Sequence, residues 1–169
     1  MNYDELRARQ ATLKQQYRDT PETAVVTLHA DGKVGTDMTC RVPTHGGTVT
    51  AGLHPATGGD GTEACSGDML LQALVACTGV TLSAVARAMG ITIKAGEIAA
   101  DGDLDFRGTL GVAKDAPVGF QQIRLHITLD CNADESQRTK LLELTERYCV
   151  VYQTLRQGVS VDVSSRFSR

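Results

Sequence analysis

Tryptophan is absent from this 169-residue chain, and phenylalanine and tyrosine occur only three and four times. So few rings provide neither a stacking platform for nucleic-acid bases nor an aromatic sugar cleft. An excess of positive charge is missing too. Seventeen Lys and Arg against 20 Asp and Glu leave a formal charge of -3, which speaks against nucleic-acid binding, because holding a phosphate backbone needs a basic face. No uninterrupted apolar run reaches the roughly 20 residues that a membrane span requires. The best candidate, residues 69–89, is broken by Gln72, Thr78, Thr81, Ser83 and Arg87. No apolar h-region follows Asp4 and Glu5 near the start, so no secretory signal is expected and the cytoplasm is the expected compartment. There, the five cysteines (Cys40, Cys65, Cys77, Cys131, Cys149) are expected to rest as thiols. Their count is odd and contains no CxxC pair, so neither a disulfide framework nor a zinc ribbon is indicated.

What is present is ordinary globular composition, 41% hydrophobic and 22% charged, with a core that must be built from Leu, Val, Ile and Ala. Residues 3–18 carry Tyr3, Leu6, Leu13 and Tyr17 near one helical face, and Thr20-Pro21 closes that segment. Alternation over 24–30, a turn at Asp31-Gly32, a strand over 34–42, a turn at Pro43 and Gly46-Gly47, and a strand over 48–53 predict an antiparallel meander. The Gly-rich stretch 54–67 matches neither GxxxxGK[ST] nor GxGxxG. Residues 68–89, capped by Ser66 or Asp68, are apolar almost all round and predict a helix covered on several sides, stopped by Gly90.

Residues 91–106 read as strand, turn, strand, with more strand at 110–112. Over 120–131, Ile123, Leu125, Ile127 and Leu129 alternate with Arg124, His126, Thr128 and Asp130, the clearest half-buried strand in the chain. Asn132 and Glu135 suggest a capping box opening a helix with a Leu141, Leu144, Tyr148 stripe. A second helix over 150–157 stops at Gly158, and Val159, Val161 and Val163 suggest a last strand. The expected organisation is a helical extension over 1–20 and a single α+β domain over 21–169.

Two cysteines differ in setting from the rest. Cys77 lies midway along the apolar helix, and Cys149 lies at the junction of two helical stretches. Cys77 is about 14 Å along the axis from the helix start, beyond the first turn in which the helix dipole acts. A reactive Cys77 would therefore need a neighbouring cation or hydrogen-bond donor. By itself it also fits as a small hydrophobe in a helix-crossing gap. Cys40 and Cys131 sit in strand patterns as packing residues, and Cys65 sits in the loop before the helix. His29, His45, His54 and His126 show no HxxxH ligand spacing, and no metal is expected.

The segment CSGDMLLQALVACTGVTL around Cys77 resembles the signature of the OsmC/Ohr family, and ERYCVVYQTL around Cys149 is similar to that family's second-cysteine motif, typically Cys-Pro-Val. Meander, Gly-rich loop, central helix, long strands and a final helix pair with a closing strand agree in order, so the resemblance covers the chain from about residue 24 onward. It implies an OsmC-like α+β fold, antiparallel sheets around long central helices in an intertwined homodimer. It also implies thiol-dependent reduction of organic hydroperoxides, with Cys77 peroxidatic and Cys149 resolving, no cofactor, and an external thiol or dithiol such as a dihydrolipoyl group as reductant. Family members carry an Arg beside the reactive sulfur and a Glu that holds it. Asp68 stands at the acidic position and Lys33 at the Arg position, with Arg18 or Arg41 as other possible cations. Val150 replaces the usual proline. The competing readings are an OsmC-like protein that binds an apolar ligand without chemistry, and a redox sensor built on a Cys77–Cys149 disulfide.

Overall fold

The structure, a computed structural model, describes residues 3–167. The chain divides after Ala51 into two compact units. The first opens with α1 (Tyr3–Asp19), whose first turn carries Asp4 and Glu5 and whose last turn carries Arg18, charges that complement the helix dipole. None of its residues is buried. Pro21 starts a single 3-10 turn, Pro21–Ala24.

The strand expected over 24–30 does not form. Val26 and Leu28 on one face and Val25 on the other stand exposed, and among the described residues no strand pairs with them. The meander that follows is β1 (Lys33–Val34), β2 (Cys40–Thr44) and β3 (Gly47–Gly52), paired antiparallel in that order. Its first turn lies later than Asp31-Gly32, at residues 35–39, where the Gly35 N–H donates to the Thr39 carbonyl at 2.7 Å. Pro43 belongs to β2 and not to a turn. It lies past the two residues that β1 pairs, so its missing N–H costs no ladder bond on that side.

The second unit is built on α2 (Ser66–Ala88), which follows the two-residue β4 (Ala64–Cys65). Its N-cap position is Cys65, without a side-chain cap, so neither Ser66 nor Asp68 serves there; Asp68 sits in the first turn. Gly90, at a φ of 72°, ends the helix as expected. Leu74, Thr78, Leu82 and Ala86, spaced four apart, are the buried stripe. The opposite face, with Ala73, Ala76, Val80 and Ala84, is exposed, Val80 by 73%. By length and composition α2 could cross a membrane, contrary to the run-by-run reading. In this unit it is the central helix of the packing.

Against α2 lies a two-stranded antiparallel ribbon, β5 (Ile93–Asp103) and β6 (Gln122–Cys131). The turn expected within 91–106 is absent: β5 runs unbroken for 11 residues. Its glycines are there for space. A Cβ on Gly96 would come within 2.7 Å of Leu129, and one on Gly102 within 2.4 Å of the Phe120 ring. Residues 110–112 are not strand either. A four-residue helix α3 (Phe106–Thr109) turns back through Gly111, and the Val112 N–H bonds the Arg107 carbonyl at 2.8 Å.

Helices α4 (Glu135–Tyr148) and α5 (Val150–Gln157) complete the unit, both packed on α2. Leu82, Ala86, Ile91, Ala133 and Leu141 form its core, with Ile127, Leu129 and Cys131 against them. Leu141 of the expected α4 stripe is buried, but Tyr148 is exposed and Thr145 is buried in its place. The capping box of α4 is Asp134 with Gln137, two residues later than Asn132 and Glu135. Asn132 is engaged elsewhere, accepting the Thr92 N–H at 2.8 Å. Replacing Asp134 by Ala removes the acceptor held by the Gln137 N–H at 2.8 Å. Chemical denaturation should show a loss of about 1 kcal/mol. Beyond Gly158 the expected strand over Val159, Val161 and Val163 does not form, and all three side chains are exposed.

Candidate active site

Cys77 is half-buried on α2, one residue before the buried stripe member Thr78. The sulfur reaches the break between α4 and α5. That break is Cys149, which has extended backbone (φ −74°, ψ 108°) and serves as both C-cap of α4 and N-cap of α5. Its N–H still donates to the Thr145 carbonyl at 2.9 Å, and its carbonyl accepts from the Gln153 N–H at 3.0 Å, so both helices are continuous up to this one residue. The first N–H groups of α5 have no partner within the helix. Those of Val151 and Val150 lie towards the Cys77 sulfur and favour its thiolate.

The Cys77 sulfur therefore sits among donors. Burial pushes the Cys77 thiol up, but the Val151 N–H, the Cys149 thiol, the Val150 N–H and the Thr81 hydroxyl all favour the thiolate and together hold it below the ordinary thiol value. Thr81 lies one helical turn after Cys77, on the same side of α2. All four are hydrogen-bond donors, one of the two kinds of group that a reactive Cys77 would need.

Cys149 is buried, 1% exposed. Its sulfur lies 3.6 Å from Thr78 Oγ1, the hydroxyl of a residue that is itself 1% exposed. Thus α2 presents adjacent residues to the same junction: Cys77 to the α5 N-terminus and Thr78 to the Cys149 sulfur. Cys77 and Cys149, the two cysteines singled out in the sequence, meet here, 72 positions apart, and both are free thiols.

Of the other named residues, Asp68 lies elsewhere in this unit. Asp68 is nine residues before Cys77, about 13 Å away along the helix axis. It lines a separate cleft with His54, Cys65, Phe106 and Phe120, in which the His54 ring stacks on Phe106 at 5.0 Å. Among the described residues, no three His, Cys, Asp or Glu side chains are grouped to hold a metal. Lys33 and Arg41 are directly opposed across β1 and β2, both exposed, in the first unit, as is Arg18 at the end of α1. Thr78, Thr81 and the two α5 N–H groups were not singled out from the sequence. Only Thr81 had a signal there, its spacing of four from Cys77; backbone donors leave none.

A central helix whose cysteine meets a second cysteine at a helix–helix junction, flanked by an antiparallel ribbon, defines a two-cysteine α+β thiol fold. The sequence pattern of the family described as OsmC-like protein matches residues 59–164, more than half of the chain, and the chain belongs to that family. Solved structures share the fold. An OsmC-like protein from Mycoplasma pneumoniae superposes with a TM-score of 0.65 at 20% identity, over 79% of this chain and 89% of that one. An organic hydroperoxide resistance protein from Elizabethkingia anophelis gives 0.62 at 12% identity, over 79% and 91%. The organic hydroperoxide resistance protein OhrB of Bacillus subtilis gives 0.52 at 18%, over 78% and 93%. No curated protein matches the chain.

Proposed function

We propose that this protein is a thiol-dependent peroxidase that reduces organic hydroperoxides, with Cys77 peroxidatic and Cys149 resolving. One observation carries the reading: Cys77 faces the α4–α5 junction, where the Val151 and Val150 N–H groups and the Cys149 thiol hold its pKa below the ordinary thiol value. Donors of this kind stabilise a thiolate, the nucleophilic form, and the second sulfur is already in place. Membership of a family that includes organic hydroperoxide resistance proteins supports it.

In the cycle, the Cys77 thiolate attacks the outer oxygen of ROOH. The O–O bond breaks, RO⁻ takes up a proton and leaves as alcohol, and Cys77 becomes a sulfenic acid. Cys149 loses its proton and attacks the Cys77 sulfur, expelling water and closing a disulfide. An external thiol returns both sulfurs to the reduced state. Sulfur carries the electrons throughout, so the proposal calls for no cofactor, and the cytoplasm is the compartment that keeps the resting thiols reduced. The test is consumption of cumene hydroperoxide by the reduced protein with excess dithiothreitol. Catalytic turnover is expected. Stoichiometric oxidation alone would instead make the protein a redox sensor, and no thiol reaction would leave a binding protein without chemistry.

The donor set also fixes the pH behaviour. Because the Cys77 pKa is lowered, its alkylation by iodoacetamide should rise to half-maximal rate at a lower pH in the folded protein than in urea. By linkage, the stability this shift contributes is present above the unfolded thiol pKa and is lost as pH falls through the folded one.

The working form in this reading is a homodimer. The exposed apolar face of α2, with Val80, and the unpaired alternating segments at 25–28 and 159–163 leave apolar surface that a second copy would cover. Sedimentation at low micromolar concentration should give a dimer. A folded monomer would remove this part of the proposal.

A further inference from the structure

Thr78 and Cys149 are each 1% exposed, and Thr78 Oγ1 lies 3.6 Å from the Cys149 sulfur. A threonine inside a helix can turn its hydroxyl back to the carbonyl four residues earlier. Thr145, buried on α4, does so and bonds the Leu141 carbonyl at 2.7 Å. The Thr78 hydroxyl is directed away from its own helix, to the sulfur at the α4–α5 junction. We propose that this hydroxyl is a catalytic group of the resolving step, a donor that stabilises the charge developing on Cys149 as it attacks the Cys77 sulfenic acid and so favours the disulfide over further oxidation. The inference rests on the reading above in taking Cys77 as the oxidised sulfur and Cys149 as the resolving one.

The hydroxyl is the donor in this contact. A thiol favours a neighbouring thiolate by turning its hydrogen towards it, and the Cys149 thiol favours the thiolate of Cys77. Cys149 has a single hydrogen to give, so its sulfur meets Thr78 as an acceptor. Burial makes the donor matter. At 1% exposure the Cys149 sulfur has almost no water to stabilise a forming negative charge, and a charge so placed is costly without a hydrogen bond. Position makes the donor steady. Thr78 is β-branched and lies within α2, which restricts its χ1. It also follows Cys77 directly, so one stretch of helix carries the sulfur to be attacked and holds the sulfur that attacks it.

In the step, Cys149 loses its proton and its sulfur electron pair forms the bond to Cys77 Sγ. The Cys77 S–O bond breaks, and the departing hydroxide takes up a proton and leaves as water, which balances the proton released. Cys149 is oxidised as far as Cys77 is reduced, and Thr78 keeps its proton throughout. The sulfenic acid has a competing fate, because a second peroxide converts it to the sulfinic acid. Closure is unimolecular, whereas that loss scales with peroxide. Slower closure therefore lowers the peroxide concentration at which Cys77 is lost.

Thr78→Val keeps the branched shape and removes the hydroxyl. After rapid mixing of the reduced variant with cumene hydroperoxide, quenching and mass analysis, the disulfide should close about tenfold more slowly than in the wild type, the effect of losing one hydrogen bond to a charged group. The peroxide concentration that converts half of Cys77 to the sulfinic acid should fall by a similar factor. Thr78→Ser, which keeps the hydroxyl, should close near the wild-type rate. Closure of Thr78→Val at the wild-type rate overturns the inference. A Thr78→Ser variant as slow as Thr78→Val overturns it too, since packing of the methyl group would then be the cause. Should Thr78→Val not fold, Thr78→Ala also lacks the hydroxyl and takes its place in the comparison. Diamide separates this inference from the peroxidase reading, because it closes the same disulfide through attack of the second thiol on a sulfur–nitrogen adduct of the first. If cumene hydroperoxide leaves the wild type unoxidised, the peroxidase reading falls, and the closure rates of the variants under diamide still decide the role of Thr78.

Discussion

Cys77→Ser should lower the rate of organic hydroperoxide reduction on the order of 10³-fold or more, because it removes the nucleophile itself and leaves only the surrounding donors. A serine hydroxyl at this position is not ionised at neutral pH and has no sulfur to oxidise. Cys149→Ser should behave differently. Its Cys77 still has the Val150 and Val151 N–H groups and Thr81, so the first oxidation proceeds, but the sulfenic acid has no partner. Dimedone should then trap an adduct on Cys77 that the wild type forms only in traces. Excess peroxide should drive that sulfur on to the sulfinic acid. The contrast between the two variants separates nucleophile from resolver. Equal behaviour would deny them distinct roles.

Val150→Pro should slow alkylation of Cys77 at neutral pH on the order of tenfold, the worth of one hydrogen bond to a charged group, and should move the Cys77 pKa upward. Val150 is the first residue of α5. Proline is favoured at that position because its fixed φ suits a helix start and its absent N–H has no partner within the helix. The substitution therefore removes the donor to Cys77 while leaving α5 able to form. It is also the residue that the family motif typically has. In this chain Val150 keeps a backbone N–H towards Cys77 that a proline there would lack. If alkylation of the variant keeps the wild-type rate and pH profile while far-UV dichroism shows intact helix, the Val150 N–H does not activate Cys77.

Much of the fold was legible because local signals and tertiary demands agree. The apolar run with Gly90 behind it made a helix. The strict alternation of Ile123 to Leu129 made a strand, and Cys149 fell at a helix junction with Gly158 closing the second helix at a φ of 68°. The failures are equally physical. Residues 24–30 and 159–163 have the period of a strand, but a strand needs a partner, and among the described residues no strand pairs with them. Asn132 looked like a helix cap because its type suits one; the structure uses its side chain to hold Thr92 and leaves capping to Asp134. The turn expected within 91–106 gives way to one long strand, in which Gly96 and Gly102 make room for Leu129 and Phe120.

The site divides in the same way. The two cysteines were recognisable from their flanking residues, since side chains are what a sequence spells out. The activating groups were not. Two of them are backbone N–H groups, freed by an interruption between helices at a residue that is neither glycine nor proline. Of the side chains singled out as support, Asp68 and Lys33 were chosen by analogy of position and Arg41 as another possible cation; Asp68 lines another cleft, and Lys33 and Arg41 face one another across a strand pair.

The most direct test of the central claim is thiol titration and peptide mass mapping of the fully reduced protein after one equivalent of cumene hydroperoxide. The chain has five cysteines; two thiols should disappear, and the oxidised peptides should be those of Cys77 and Cys149 joined by a disulfide. Retention of all five thiols, or a bond involving Cys40, Cys65 or Cys131 in place of that pair, would contradict the account.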